Sequence, residues 1–389
     1  MWRCGAVSGR NVRVVRPRRI SLLVALAAVL AAPAAGAQAV PAQRAIELLN
    51  AQREANGIPG GIVENPDWSE GCARHDDYLA RNPERWNSNP HDEDPADAGY
   101  TPEGQEAARN SVLSQGNGYA DSADQNPWED APIHLMQLLA PALSVTGYAD
   151  TPGACMWTWP GYQRPGPDPP VLYTYPGDGA TIYSSMRSNE APFSPGDFVG
   201  LSQSDATGPH LYVLAHGADQ YAVRGRITAA ALSGPDGPVD VRTVDNHTSG
   251  PRGDLGSYLP AGGIVIPVRP LAAGSEYTAQ VTFATDQGAQ LTRIWRFRTR
   301  APAQSVSLRS RTVRRGRSFV LDYVAADDGK ISFSLRRGGR STVKGVIRVR
   351  AGTGFVKLRT SRPGRYTLSA VLKTSRSTRF RTTVRVASR

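Results

Sequence analysis

The stretch EYTAQVTFATDQGAQLTRIWRFRT, residues 276–299, alternates apolar and polar residues on both sides of the turn DQG. Alternation with a period of two indicates a strand with one buried face, and two such runs around a short turn predict a β-hairpin. The candidate core positions are Tyr277, Gln280 or Val281, Trp295 and Phe297. The hairpin is typical of an all-β sandwich.

Segments of the same kind lie on both sides of this hairpin. LYVLAH, PVDVRTV and IVIPV precede it, SFVLDYVA, VIRVRA and FRTTVRVA follow it, and turns rich in glycine and proline separate them. We therefore expect two all-β sandwich domains, residues 171–300 and 301–389. The 39 glycines and 30 prolines suit short strands joined by turns and exclude a helical bundle or a coiled coil.

The first third of the chain has a different pattern. A capping residue before proline, at Asn65-Pro66 and Thr101-Pro102, predicts helix starts, and apolar residues follow at helical spacing. The proline-dense stretch YQRPGPDPP, residues 162–170, is expected to be a stiff linker. With residues 1–39 as a signal peptide and 40–161 as a domain of helices and short strands, the predicted fold class is α+β.

The net charge of +11 conceals an uneven distribution. Residues 39–300 carry 17 Arg and no Lys against 31 acidic residues, whereas residues 301–389 carry 18 Arg and four Lys against three Asp. In VIRVRA and FRTTVRVA, arginines alternate with apolar residues. This pattern predicts strands with one buried face and one cationic face.

The first forty residues have the form of an export signal. Six arginines and no acidic residue precede the apolar run from Ile20 to Ala32. Ala37-Gln38-Ala39, which follows the run, fits a signal peptidase site. The run is short for a membrane span and ends at Pro33, so we expect cleavage, with an uncleaved anchor as the alternative. The prediction is a secreted, extracellular or envelope-associated protein without a transmembrane span after signal removal.

Export bears on the chemistry of the cysteines. Cys72 and Cys155 remain after signal removal, and an oxidising compartment predicts a disulfide between them. The closed loop would stabilise the fold by about 4 kcal/mol. The alternative is a zinc site that includes Cys72 and His75, which lie one turn apart on a predicted helix.

Five segments of the first third carry a family resemblance: AIELLNAQREANGIP (45–59), WSEGCARHDDYLARN (68–82), NPHDEDP (89–95), ARNSVLS (108–114) and NPWEDAPIHLMQLLAPALSVTGYA (126–149). In order and spacing they resemble the CAP (SCP-like) superfamily of cysteine-rich secretory, antigen 5 and pathogenesis-related 1 proteins, in its divergent bacterial branch. The resemblance implies an α-β-α sandwich with a shallow polar cavity. Residues 270–299 are similar to bacterial Ig-like or fibronectin-like modules, which implies architecture alone.

The cavity of the CAP family contains two histidines and two acidic residues. Through the resemblance His91 and His134 match the histidines, Arg109 stands in place of a glutamate ahead of Asn110, and Glu129 is the nearest second acid. Two imidazoles with a carboxylate suit Zn²⁺ or another divalent cation, with His91 and His134 as ligands. Arg109 would oppose a metal and favour an anionic ligand. A hydrogen-bonded histidine pair without a ligand is the alternative.

These features predict a non-enzymatic binding protein of the cell envelope. The cavity would hold a small apolar or anionic ligand or a partner, and residues 301–389 would contact an anionic cell-wall polymer or glycan. The alternatives are an exported metal-dependent hydrolase that uses His91 and His134 and a structural scaffold. For the basic domain, a surface without a specific partner and packing against the acidic portion also remain open. Export argues against nucleic acid as the physiological partner.

Overall fold

The computed structural model describes residues 40–116, 118–119, 126–150, 153–219, 223–301, 303–325, 328–350, 352–359, 362–374 and 377–388. The predicted signal peptide, residues 1–39, lies outside these ranges. Among the described residues, no helix combines the length and the apolar character that a membrane span requires.

Helices and short strands alternate in residues 40–161. The helices are α1 (Ala42–Glu54), α2 (Pro66–Arg81), α3 (Arg85–Ser88), α4 (Pro102–Asn110) and α5 (Pro132–Leu139). The strands are β1 (Val63–Glu64), β2 (Ser111–Ser114), β3 (Val145–Thr146), β4 (Tyr148–Ala149) and β5 (Ala154–Trp157). Asn65 and Thr101 cap α2 and α4 as their sequence predicts, because each side-chain oxygen accepts a backbone N–H of the first turn, at 3.0 and 2.9 Å.

The predicted disulfide is confirmed. Cys72 in α2 is bonded to Cys155 in β5, with the two Cα atoms 5.4 Å apart. The alternative zinc site is wrong, because the sulfur of Cys72 is consumed by this bond. His75 instead forms a fully buried pair with Glu93, with 2.8 Å between Nδ1 and Oε1.

Residues 171–299 form the first sandwich, which packs a five-stranded sheet against a four-stranded one. The sheet orders are β10-β9-β15-β16-β7 and β11-β14-β8-β6. The strands are β6 (Val171–Tyr175), β7 (Thr181–Ile182), β8 (Leu211–His216), β9 (Gly225–Gly234), β10 (Gly237–Val239), β11 (Val241–Asp245), β12 (Ser249–Gly250), β13 (Gly253–Asp254), β14 (Gly262–Pro267), β15 (Glu276–Thr285) and β16 (Gln290–Thr299). Strands β12 and β13 pair with each other as a short ribbon.

The hairpin predicted at residues 276–299 is confirmed as β15 and β16. Tyr277 lies opposite Phe297, and Ala279 lies opposite Trp295. Tyr277, Trp295 and Phe297 are buried, and Val281 rather than Gln280 faces the core.

The core of the first sandwich extends into the first third of the chain. Ile133, Leu135, Met136 and Leu139 of α5 belong to the same cluster of buried side chains as the strands of residues 171–299. The predicted linker is also packed, since the backbone N–H of Arg164 donates to the Ala142 carbonyl at 2.9 Å. Helix α5 therefore contributes to a core that it shares with the first sandwich.

Residues 305–387 form the second sandwich, with its own core. Its sheets have the orders β17-β19-β22 and β18-β24-β23-β20-β21. The strands are β17 (Ser305–Leu308), β18 (Thr312–Arg314), β19 (Ser318–Ala325), β20 (Gly329–Arg337), β21 (Arg340–Val349), β22 (Gly352–Arg359), β23 (Gly364–Lys373) and β24 (Ser377–Ala387). Its buried cluster, which includes Phe319, Leu335 and Leu368, contains residues of this segment only.

The predicted α+β fold class, an α-β-α sandwich followed by two β-sandwiches, is wrong. The chain is mostly β. Strands account for 43% of it and form several sheets, whereas helices account for 19%. Helical spacing in residues 40–161 predicts the helices but does not show which core they pack into. Helix α5 shows why, because nearly all of its residues are buried and its apolar side chains complete the core of a β-sandwich.

Candidate functional site

The structure brings the predicted histidines together. Their ring centroids lie 6.3 Å apart, with 28° between the ring planes. His91 lies in the loop between α3 and α4, and its Nδ1–H donates to the Ala108 carbonyl of α4 at 2.8 Å. Burial, assisted by the nearby charges of His134 and His75, lowers the pKa of His91 to about 4. The ring is therefore neutral near pH 7, and its Nε2 is the nitrogen left to accept a proton or a ligand.

His134 is held by a residue that the sequence argument missed. Its Nδ1–H donates to the carboxylate of Glu190, whose side chain is completely buried. The other oxygen of Glu190 accepts the backbone N–H of Ile133 at 2.5 Å. Glu190 thus satisfies a free amide at the start of α5 and orients His134 at the same time. It lies in the segment between β7 and β8, within the first sandwich, and neither motif nor spacing in the sequence connects it with His134.

The remaining predicted site residues have other partners. Arg109 is 65% exposed and pairs with Asp92, with 3.0 Å between Nη2 and Oδ1. Hydrogen bonds from Gln105 and Arg109 lower the pKa of Asp92. The Asn110 side chain donates to the Glu106 carbonyl at 2.9 Å. The contacts described for Arg109 and Asn110 therefore do not include either imidazole.

Glu129 belongs to a polar network between α1 and β6. Its Oε1 accepts from Gln52 at 2.5 Å and from the Tyr175 hydroxyl at 2.9 Å, and Gln52 in turn accepts from Asn126 at 2.8 Å. Burial raises the pKa of Glu129. Its Oε2 is buried and has no hydrogen-bond partner among the described residues. This network joins the first third of the chain to the first sandwich.

The donor set around His91 and His134 does not fit a zinc site. Zinc requires at least three protein ligands, and in the described part of the chain no three His, Cys, Asp or Glu side chains converge in a way that could hold a metal. The nearest carboxylate, Glu190, is already engaged by His134 and by the Ile133 amide. The geometry therefore offers a pair of imidazoles, each of which is oriented through its Nδ1.

The second sandwich presents a different candidate site. Along β24 the side chains alternate between the core, as at Val384 and Val386, and solvent, as at Arg381 and Arg385, which confirms the predicted cationic strand. The five strands of this sheet contain neither Asp nor Glu. We call its outer surface the cationic face, and its exposed cations are Arg314, Lys330, Arg336, Lys344, Arg348, Arg365, Lys373, Arg379, Arg381 and Arg385.

The other predicted cationic strand, VIRVRA, departs from the alternation. Its first four residues lie in β21 at the edge of the sheet, where Val346 is 63% and Ile347 is 40% exposed. Ile347 lies opposite the buried Ile331, whereas Val346 lies opposite Ser332 on the outer face, because consecutive residues of a strand point to opposite faces. Arg348, between them and the end of the strand, is exposed as predicted.

Comparison with known proteins leaves the family of the chain open. No family model and no curated protein matches it. Among solved structures, two fibronectin type III domains of chicken tenascin share 10% identity, covering 46% of this chain and 92% of that one, with a TM-score of 0.23. Dimeric latent PorU from Porphyromonas gingivalis shares 14% identity over 48% of this chain, with a TM-score of 0.20. The match spans only 24% of the PorU chain.

The identification of residues 40–161 as a CAP domain is wrong. No CAP protein is among the matches, which are fibronectin-like and Ig-like all-β proteins, and no family model supports the resemblance. At such TM-scores the likenesses carry no argument about function. The two sites described above must therefore be judged by their own chemistry.

Proposed function

We propose that the protein is an exported, envelope-associated binding protein that contacts an anionic polymer through its cationic face. The observation that carries this proposal is the charge of that face: exposed arginines and lysines occupy all five strands, and no acidic residue of these strands opposes them. The cations of such a surface gain little stabilisation from ion pairs within their own sheet. It is favourable chiefly when a partner supplies the negative charge.

The chemistry of arginine supports an oxyanion-bearing partner. A guanidinium group presents several N–H donors in a planar fork that matches phosphate and carboxylate oxygens. The rigid strands hold neighbouring cations at spacings of roughly 5–7 Å. A polymer with repeated negative charges can therefore engage several of them at once, and the affinity of such contacts falls steeply as salt is added.

Two further features support export. The Cys72–Cys155 disulfide is buried between α2 and β5, as expected of a protein matured in an oxidising compartment. The N-terminal sequence has the form of a cleavable signal. Cell-wall polymers and acidic glycans are the polyanions that an exported chain meets. The proposed domain order remains a signal peptide (1–39), residues 40–161, a linker (162–170), and two β-domains (171–300 and 301–389).

The hydrolase alternative receives less support. It requires a metal-activated water between His91 and His134. The carboxylate that contacts His134, that of Glu190, already holds this ring and the start of α5 in place, and the described residues include no group of three His, Cys, Asp or Glu side chains that could hold a metal. A small ligand that donates hydrogen bonds to the two Nε2 atoms is chemically simpler. We propose this non-enzymatic role for the histidine pair, with His91 and His134 as the contacts.

Retention on isolated cell envelopes tests the proposed function. A variant with Arg348, Arg379 and Arg385 replaced by Gln should lose about tenfold or more of its binding at low salt. The matched control replaces Arg226, Arg293 and Arg296 of the first sandwich, which are also exposed, with Gln. The proposal fails if the two triple variants weaken retention equally, or if neither does.

A further inference from the structure

A groove on the cationic face concentrates its arginines. It has a volume of about 540 Å³, and Arg336, Arg365 and Arg381 line it together with the hydroxyl side chains of Thr367, Ser369 and Thr383. The three arginines come from β20, β23 and β24, the central strands of the sheet. Paired strands therefore hold the three arginines, and Gly338 and Gly339 of the turn between β20 and β21 also line the groove.

The strand register places hydroxyls between the arginines. Thr367 lies opposite Arg336 on one side and opposite Thr383 on the other, and Ser369 lies opposite Arg381. Neighbouring strands are about 4.8 Å apart and alternate residues on a strand about 7 Å apart, so the three guanidinium groups can reach one point above the hydroxyls. The groove thus has a hydroxyl floor and a cationic rim.

Within the described part of the chain, no carboxylate neutralises these arginines. None of the three forms an ion pair with any described residue, whereas Arg309 on the opposite sheet binds both carboxylate oxygens of Asp322, at 2.7–3.0 Å. The chain therefore contains a paired arginine and three convergent unpaired ones in the same sandwich. Three like charges around one groove repel each other until an anion enters it.

The donor inventory indicates the anion. A carboxylate offers about four lone-pair sites in one plane, which one or two guanidinium forks fill. Three forks and three hydroxyls supply more donors, in more directions, and match the tetrahedral oxygens of phosphate. Arg314, Arg348 and Arg379 continue the positive charge beyond the groove. This donor set favours a phosphate that belongs to an extended chain of phosphates.

We propose that this groove is a phosphate subsite for a phosphodiester-linked polyol or sugar polymer. The inference rests on the proposed function and specifies its ligand class. The arginine forks would bind the non-bridging phosphate oxygens, and the hydroxyls of Thr367, Ser369 and Thr383 would donate to the oxygens that remain. No covalent step is involved.

Substitution of arginine by lysine tests the groove without changing its charge. We would measure binding of the full chain to poly(glycerol phosphate) and to polygalacturonate of matched charge, at one salt concentration. Wild type should bind poly(glycerol phosphate) at least fivefold more tightly. The variant R336K/R365K/R381K should lose about tenfold, while the control R226K/R293K/R296K, at exposed arginines of the first sandwich, stays within twofold. The assignment is overturned if the groove variant also stays within twofold or if polygalacturonate binds equally well.

A second variant tests the floor of the groove. Thr367→Val with Ser369→Ala removes two hydroxyl donors, keeps every charge and should weaken poly(glycerol phosphate) binding about threefold to fivefold. Unchanged binding would contradict the proposed floor. Tighter binding of a single-stranded oligonucleotide with the same number of phosphates, or of phosphatidylglycerol vesicles, would contradict the polymer class.

The two proposals fail in different ways. If envelope retention survives loss of Arg348, Arg379 and Arg385, the proposed function is wrong regardless of the groove. If retention depends on them but poly(glycerol phosphate) binding is indifferent to lysine at Arg336, Arg365 and Arg381, only the groove assignment is wrong.

Discussion

The first and second sandwiches each pack a five-stranded sheet against a smaller one, but they differ in both core and surface. The core of the first includes α5, whereas the core of the second contains only its own strands. On the five-stranded sheet of the first, Arg298 pairs with Glu276 at 3.0 Å, while the equivalent strands of the second have no acidic residue. In both sandwiches the alternation of apolar residues specifies the sheets. The charged residues on the outer faces are not fixed by that alternation and can differ with function.

Among the tests of this difference between the two cores, removal of the disulfide should have the largest effect on stability. The double variant Cys72→Ser/Cys155→Ser should lose about 4 kcal/mol of stability, because the unfolded chain regains the freedom of an 83-residue loop. The loss should be confined to residues 40–299, since the second sandwich has no cysteine. Denaturant unfolding followed by hydrogen exchange and mass spectrometry measures it by region. An equal loss of protection in residues 303–388 would contradict the separation of the two cores.

A matched pair of core variants sharpens the comparison. Leu135 of α5 and Leu368 of β23 are both completely buried. Each Leu→Ala change should cost about 3 kcal/mol through lost contacts and a cavity. We expect L135A to reduce exchange protection in β8 and β14 of the first sandwich, and L368A to affect only the second. If L135A left the first sandwich unchanged, the shared core would be refuted.

Acid should affect the two regions differently. Burial lowers the pKa of His91 to about 4 and that of His210 to about 3, whereas the second sandwich has no histidine. A histidine whose folded pKa is depressed contributes stability that is complete above the unfolded pKa near 6.5 and is lost as pH falls toward the folded value.

Replacement of His91 checks this pH dependence. His91→Gln should remove about 2 kcal/mol of the stability change of the first region between pH 6.5 and 4. His210 and His216, whose pKa values burial also lowers, would contribute to the remaining slope. Thermal unfolding across this pH range is the measurement, with the transition of the second sandwich as an internal control. A slope that is the same with and without His91 would show that this ring is protonated equally in the folded and unfolded chain.

The smallest expected effect is at the balanced surface of the first sandwich. Glu276→Gln breaks an ion pair with Arg298 in which both side chains are more than half exposed. Exposed pairs of this kind contribute less than about 1 kcal/mol, so the melting temperature should change little. A large loss would mean that Glu276 has a role beyond surface pairing.

Much of the β-structure could be predicted from the sequence. The alternation in residues 276–299 identified Tyr277, Trp295 and Phe297 as core residues, because a strand with one buried face places every second side chain inward. The Cys72–Cys155 disulfide could be predicted from the form of the N-terminal sequence, which is that of an export signal, and from the number of cysteines. Both inferences depend on local pattern or on composition, which a single sequence displays directly.

The family resemblance failed for a physical reason. Two of its five segments begin with an Asn-Pro step, and a third follows one closely. The structure shows a local turn at Asn126, which accepts the Trp128 N–H at 2.9 Å, and a helix cap at Asn65, which accepts the Asp67 N–H at 3.0 Å. Such caps occur in many unrelated proteins because they satisfy amides that any helix start leaves free. Order and spacing of caps therefore indicate helices without indicating a family.

The histidine site could be predicted only in part. His91 and His134 do lie together, yet Glu190, which holds His134, is separated from it by 56 residues and comes from the first sandwich. Arg109 is drawn to Asp92 instead of the imidazoles. Long-range pairing of this kind depends on how the sandwich packs against α5, which no local pattern encodes.

The shared core also determines how the chain can be divided. A fragment that ended in the proline-dense stretch would strip α5 of its neighbours and expose Ile133, Leu135, Met136 and Leu139 to water. It would also leave His134 without the carboxylate that steadies it. The shortest fragment in which the histidine pair keeps its surroundings consequently extends through β16. A protease that cleaved the chain near residue 165 would leave two fragments that remain associated through their shared hydrophobic core.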